Sequence, residues 1–336
     1  MEPAAPRYPG ISARSYEHPA DRAATSALHA IPLLDRLVRR FGRLGVETRV
    51  RQALLGDAVA IGADQLPDLW AAQARAAIRL DLAPTPLFVT RTAEANALTF
   101  GMRSPVVVVF SGLVTDFAAE EVEVVLAHEQ GHVLSEHLVY STTLTLLAKL
   151  LSGAVSDVPF AGLPLRGLYY ALLEWSRAAE LTCDRAAAVA CDDPMLVCRM
   201  LMHLAGGPLP GLDVDAFVRQ ATDYTEEEDL FARRARMAGE LGRTHPAAVR
   251  RVRELVTWVR SGEFDRIRSG SYLRRGEEPP PSAEFDAAVR HYRERFTASV
   301  DRTVGGLNRL TGQVASWLRG GEAADDGMDA PTPPTA

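Results

Sequence analysis

Lysine is all but missing from this chain: Lys149 is the only one among 336 residues, and arginine carries almost all of the positive charge. That skew reads as the codon usage of a GC-rich genome and carries no functional information. Cysteine is scarce as well. Cys183, Cys191 and Cys198 have spacings that fit neither a zinc ribbon nor a disulfide framework, so they are expected as reduced thiols of a cytosolic protein. A basic excess is lacking, with 43 acidic against 37 basic residues and a net charge of −6, which excludes the electrostatic footprint of a nucleic-acid binder. Residues 1–15 contain Pro, Gly and Arg but no apolar core of the kind a secretory signal needs. Long apolar runs are also missing, because Lys149, Asp157 and Arg166 interrupt residues 138–173 short of the roughly 18 continuous residues of a spanning helix. An apolar helical hairpin over 138–173 is expected instead, packed on the protein or lying on a membrane surface. The expected location is cytoplasmic, with membrane contact peripheral.

What the chain does have is the run His128-Glu129-Gln130-Gly131-His132. Helical residues four apart sit about 40° apart around the axis and about 6 Å along it, so His128 and His132 can aim two imidazoles at one metal ion. In such an H-E-x-x-H arrangement the two histidines bind Zn²⁺ and Glu129 is the general base towards water. The surroundings support a helix. Asp116 to Glu121 form an acidic start, and Val122, Val125, Leu126, Val133 and Leu134 recur at spacings near 3 and 4. Gly131 costs about 1 kcal/mol against Ala inside a helix, which predicts a close approach by another backbone.

Around the motif the chain reads as α+β, mainly α-helical, with a small β-sheet preceding the active-site helix. Residues 1–20 are expected as an extended arm and 21–82 as a helical section in which Pro67 fits a first helical turn. Residues 86–91, 95–100 and 105–110 are predicted strands, and Val106 to Val109 is a β-branched run typical of a buried one. Asn96-Ala97, with Gly101 nearby, suggests an edge strand on which an extended peptide could pair; an ordinary hairpin strand fits the same residues. The catalytic domain is expected over 83–270. A helical extension follows over 271–319, and the acidic, Gly/Pro-rich residues 320–336 are expected to be disordered.

A catalytic zinc needs a third protein ligand besides the two histidines. His137 falls five residues after His132, about 140° around a continuing helix, and would point elsewhere. Glu136 would have to reach past His132. Glu174 stays open, and Glu180 is favoured because only it has an acidic partner, Asp184, one helical turn on. That carboxylate could orient a ligand histidine. Beside them Cys183 could enter the zinc shell, although a small buried thiol is the plainer role.

With these residues in view the chain resembles the zinc metallopeptidases that include the heat-shock protease HtpX and the CAAX prenyl proteases, over roughly residues 87–254. The resemblance rests on Asn96-Ala97, the run from Pro105 to Gly112, the H-E-x-x-H helix, Ser176-Arg177 with Glu180 and Asp184, and His245-Pro246 with Arg251. It implies a zincin-type endopeptidase with one Zn²⁺ held by His128, His132 and Glu180. Glu129 is then the base, Asp184 supports a ligand, and His245 and Arg251 steady the reaction centre. It also implies a protein or peptide substrate lying as an extended strand against Asn96 and Ala97. Gln130 and Cys183 depart from the usual pattern, and neither removes a ligand. The rival reading is a non-catalytic zinc-binding scaffold or membrane-surface interaction protein. Oligomeric state is left open.

Overall fold

The computed structural model describes residues 7–43, 45–152, 163–226, 245–280 and 283–304. Most of these are helical. The N-terminal helices are α1 (Pro19–His29), α2 (Pro32–Arg43) and α3 (Val46–Asp57), followed by a short strand β1 (Val59–Ile61) and α4 (Pro67–Arg79). Proline opens α1, α2 and α4, where its missing N–H would have no helical partner in any case. Strands β2 (Leu87–Thr90), β3 (Ala97–Phe100) and β4 (Val106–Phe110) complete a four-stranded sheet in the order β1-β2-β4-β3. The β2–β4 pair is parallel and the other two pairs are antiparallel. Three of these strands are those expected; β1, three residues long, was not.

Val106 to Val109 are all buried because the sheet is covered on both faces. Val107 and Val109 face the main core with Leu87 and Ala97, while Val106 and Val108 meet Phe88, Phe100 and residues of α3. Beyond β4 come α5 (Ser111–Asp116), the motif helix α6 (Ala119–Leu134), α7 (Leu138–Ser152) and the long α8 (Leu163–Cys191). The motif helix, expected from Asp116 onward, therefore starts at Ala119, because Phe117 and Ala118 are extended, and α5 ahead of it was not expected. Residues 153–162 lie outside the described residues. The second arm of the apolar hairpin is the first part of α8, so the hairpin and the Glu180 segment share one helix.

The chain then continues through α9 (Pro194–Gly206), α10 (Val214–Glu226), α11 (Ala248–Arg260), α12 (Glu263–Arg268) and α13 (Ala283–Val304). Helix α11 begins two residues later than its His245-Pro246 signal suggests, since Ala247 is still extended as its cap. His245 consequently stands ahead of the helix. Residues 7–20, part of the arm expected over 1–20, pack on the core: Tyr8, Ile11 and Tyr16 are buried, and Ile11 bridges to Arg274. Their apolar side chains explain the docking. A second core joins α1, α2, α7 and α8 through Leu28, Leu34, Leu37, Leu147 and Leu168, with Phe296 from α13. Among the described residues no helix is long and apolar enough to cross a membrane. The expected disordered tail and the last part of the predicted C-terminal helix lie outside the described residues.

Candidate metal centre

Helix α6 brings the two motif histidines to one wall and α8 brings Glu180 to the other. The helices can approach closely because of Gly131, where an added Cβ would stand 2.8 Å from Ala186 Cβ and 3.2 Å from Cys183 Cα. The close backbone approach anticipated at this glycine is thus present. His128 Nε2 lies 3.4 Å from Glu180 Oε2, and His132 Nε2 lies 3.4 Å from Glu180 Oε1. Donors held tetrahedrally at about 2.0–2.1 Å from an ion stand roughly 3.3 Å from each other, so this spacing suits a shared metal.

The carboxylate is itself enclosed by polar groups. Glu180 is buried, yet its Oε2 accepts no hydrogen bond among the described residues. His245 Nδ1 approaches that oxygen to 2.7 Å as an ion pair without hydrogen-bond alignment. The charged Arg251 guanidinium faces the same oxygen, so it is ion-paired rather than left uncompensated. Two imidazoles and a carboxylate are the donor set of catalytic zinc. Cys183 also has its Sγ within 4.8 Å of donor atoms of His128 and His132. Its sulfur, however, packs 3.6 Å from His137 Nδ1, and burial together with Glu180 and Asp21 pushes the thiol well up. A bound metal would itself take the proton of a coordinating thiol, so His128, His132 and Cys183 form a possible donor set beside the one with Glu180.

Behind the donors, side chains fix their orientation. Asp184 Oδ1 is 3.2 Å from His128 Nδ1, and Arg251 grips both oxygens of Asp184, with Nε at 2.8 Å and Nη2 at 2.6 Å. Arg251 Nη1 also stands 3.3 Å from Glu180 Oε2. Burial pushes the Glu180 carboxyl up, but His245, His128 and Arg251 outweigh it and hold it well below its ordinary value. For Asp184 burial acts the same way and Arg251 wins. Burial lowers His128, but Glu180 and Asp184 overcome it and carry the imidazole up to about 9. In His132 burial prevails and the shift is downward. His245 is raised, chiefly by Glu180.

Glu129 is buried beside this group, and its Oε2 accepts a 2.6 Å hydrogen bond from the Thr99 hydroxyl of β3. Among the described residues strand β3 pairs with β4 alone, so no further strand occupies its other edge. Asn96 precedes it; its Oδ1 accepts the Ala97 N–H, and its carbonyl accepts the N–H of Phe110. A cavity of about 40 Å³ bounded by Asn96, Ala97, His128, Glu129, Glu180 and His245 adjoins a cleft of about 690 Å³ lined partly by Leu201, Leu204 and Phe217. Every site residue expected from sequence is therefore in one neighbourhood.

Three contributors escaped the sequence reading: Thr99, His137 and Asp21. His137 was set aside on the assumption that α6 continues. It does not, because Glu136 adopts a left-handed conformation with φ 58° and the chain turns back. His137 N–H bonds to His132 C=O and Glu136 N–H to Val133 C=O, the paired bonds of a Schellman turn. His137 thus folds over His132, their Nδ1 atoms 3.1 Å apart.

Two histidines and a glutamate from packed helices, a further glutamate beside them and a strand edge alongside define an H-E-x-x-H metallopeptidase. Residues 65–259 match the model of peptidase family M48, and the chain belongs to that family. It is a peptide-bond hydrolase. The chain is 35% identical over 265 residues to the plastoglobule-localized metallopeptidase 48, chloroplastic, of Arabidopsis thaliana, covering 76% of this chain and 75% of that one. It is 24% identical over 216 residues to a protease HtpX homolog of Burkholderia thailandensis, covering 56% and 73% respectively. No solved structure matches it.

Proposed function

We propose that the chain is a one-zinc endopeptidase that cleaves protein or peptide substrates laid as an extended strand along β3. His128, His132 and Glu180 hold the ion, and Asp184 fixes His128 by accepting its Nδ1–H. When bound, zinc supplies a Lewis acid that polarises the scissile carbonyl and lowers the pKa of water towards about 7. Glu129 takes the proton of the attacking water and delivers it to the leaving amine. The Thr99 hydroxyl keeps that carboxylate aimed. His245, raised by its carboxylate neighbour, donates to the developing oxyanion, and Arg251 steadies the centre through Asp184. Backbone groups at Asn96 and Ala97 pair with the substrate strand.

The observation that supports this most is the approach of His128 Nε2 and His132 Nε2 to the two oxygens of buried Glu180, each at 3.4 Å. The proposed location is the cytoplasm, with membrane contact peripheral and no span. Metal removal tests the function. Incubation with 1,10-phenanthroline should stop cleavage of reduced casein, and about one equivalent of Zn²⁺ should restore it. Cleavage that continues after the metal has been stripped would refute the proposal.

A further inference from the structure

Helix α1 lies outside the residues matched to the family, yet it sends one carboxylate into the interior behind the metal centre. Asp21 is 0% exposed. Its Oδ2 sits 2.9 Å from His137 Nε2 and accepts a 2.6 Å hydrogen bond from the Thr182 hydroxyl; its Oδ1 accepts one from Thr25. His137 is 2% exposed and stacks edge-on against both His132 and Trp175. Trp175 Nε1 in turn donates to Thr25, and the backbone N–H of His18 donates to Thr182. The carboxylate is thus held from α1 and α8 together.

From this geometry we infer that Asp21 is a positioning residue for His132, acting through His137 so that the lone pair of His132 Nε2 faces Glu180 and the ion. The inference rests on His132 being a metal ligand. A ligating Nε2 carries no proton, so the Nδ1 of His132 carries the N–H. That N–H meets His137 Nδ1, which must then accept it. Neutral His137 is left with its proton on Nε2, and this nitrogen faces Asp21, a carboxylate that can only accept. The direction of every bond in the series is therefore fixed at the Asp21 end. Cys183, a weak S–H donor 3.6 Å from the same His137 Nδ1, does not reverse it. Without an acceptor-only group there, His137 could place its proton on Nδ1, and His132 would then turn its N–H toward the metal position.

The test uses the full chain and reads zinc affinity by competition with a chromogenic chelator, with far-UV circular dichroism of the metal-free protein as the folding check. Asp21→Asn and His137→Phe should each weaken zinc binding roughly tenfold to a hundredfold, and the double variant should be little worse than either. Trp175→Phe, which keeps the ring but loses the bond to Thr25, should reduce stability and leave zinc affinity within about twofold, separating positioning from general support. In the zinc-loaded wild type, ¹⁵N-histidine spectra should show His132 protonated at Nδ1 and His137 at Nε2, a readout that needs no variant to fold. Unchanged affinity in Asp21→Asn, or a proton on His137 Nδ1, would overturn the inference. Undiminished zinc binding in His132→Ala would instead overturn the ligand assignment beneath it.

Discussion

The proton and the metal compete for one nitrogen in this site. Burial pulls His128 down, yet Glu180 and Asp184 carry it up to about 9, so at neutral pH the metal-free site holds a proton that zinc must displace. Apparent zinc affinity should consequently fall roughly tenfold for each pH unit below about 9 and level off above it. Chelator competition in steps from about pH 7 to pH 10 measures this, and a flat profile below about pH 9 would show that His128 gives up no proton. The residues involved were partly legible from spacing alone. His128 and His132 are one turn apart in sequence, and so are Glu180 and Asp184; the fold only had to bring two turns together. Asp21 could not be found this way, because it joins the group through tertiary packing and no periodicity connects it to His137. Thr99 was missed for a related reason: a strand hydroxyl shows nothing in sequence of which face it turns to a helix.

At the scale of elements, the contact between α6 and α8 sets the distance from histidine to glutamate. Gly131→Ala improves helix propensity by about 1 kcal/mol but drives a methyl to 2.8 Å from Ala186 Cβ, beyond what small adjustments absorb. Both partners are stiff, one a backbone-attached methyl and the other a helix interior. A net loss of about 1–3 kcal/mol in urea unfolding is expected, with weaker zinc binding, and Ala186→Gly should relieve both. Stabilisation by Gly131→Ala would contradict this packing. The H-E-x-x-H helix and three strands could be read from periodicity and β-branched runs. Its C-terminus could not, since Glu136 takes the left-handed position usually marked by glycine. That hidden turn is why a geometric rule for continuous helices misplaced His137. β1 is too short to carry an alternating pattern, and the continuity of α8 was obscured because its apolar first half reads as a hairpin arm and its second half as a polar face.

For the whole molecule, apolar composition alone does not settle how the chain meets a membrane; where the apolar side chains go matters more. Tyr140, Leu144 and Leu147 of α7 are buried in the second core, which takes them away from any lipid contact. The protein should stay soluble after lysis or be released from membranes by salt or carbonate; recovery only in detergent would contradict the packing of α7 and α8. The N-terminal residues join both cores and α13 joins the second, so the helices of the site are supported from both ends of the described chain. In the proposed mechanism metal binding and proton transfer fall to different side chains, and Glu129→Gln divides the two. The substitution keeps shape and leaves His128, His132 and Glu180 in place. Measured side by side with the wild type, the variant should retain about one zinc per chain while hydrolysis of reduced casein falls by roughly 10²- to 10⁴-fold. Equal zinc content with undiminished cleavage would contradict the mechanism.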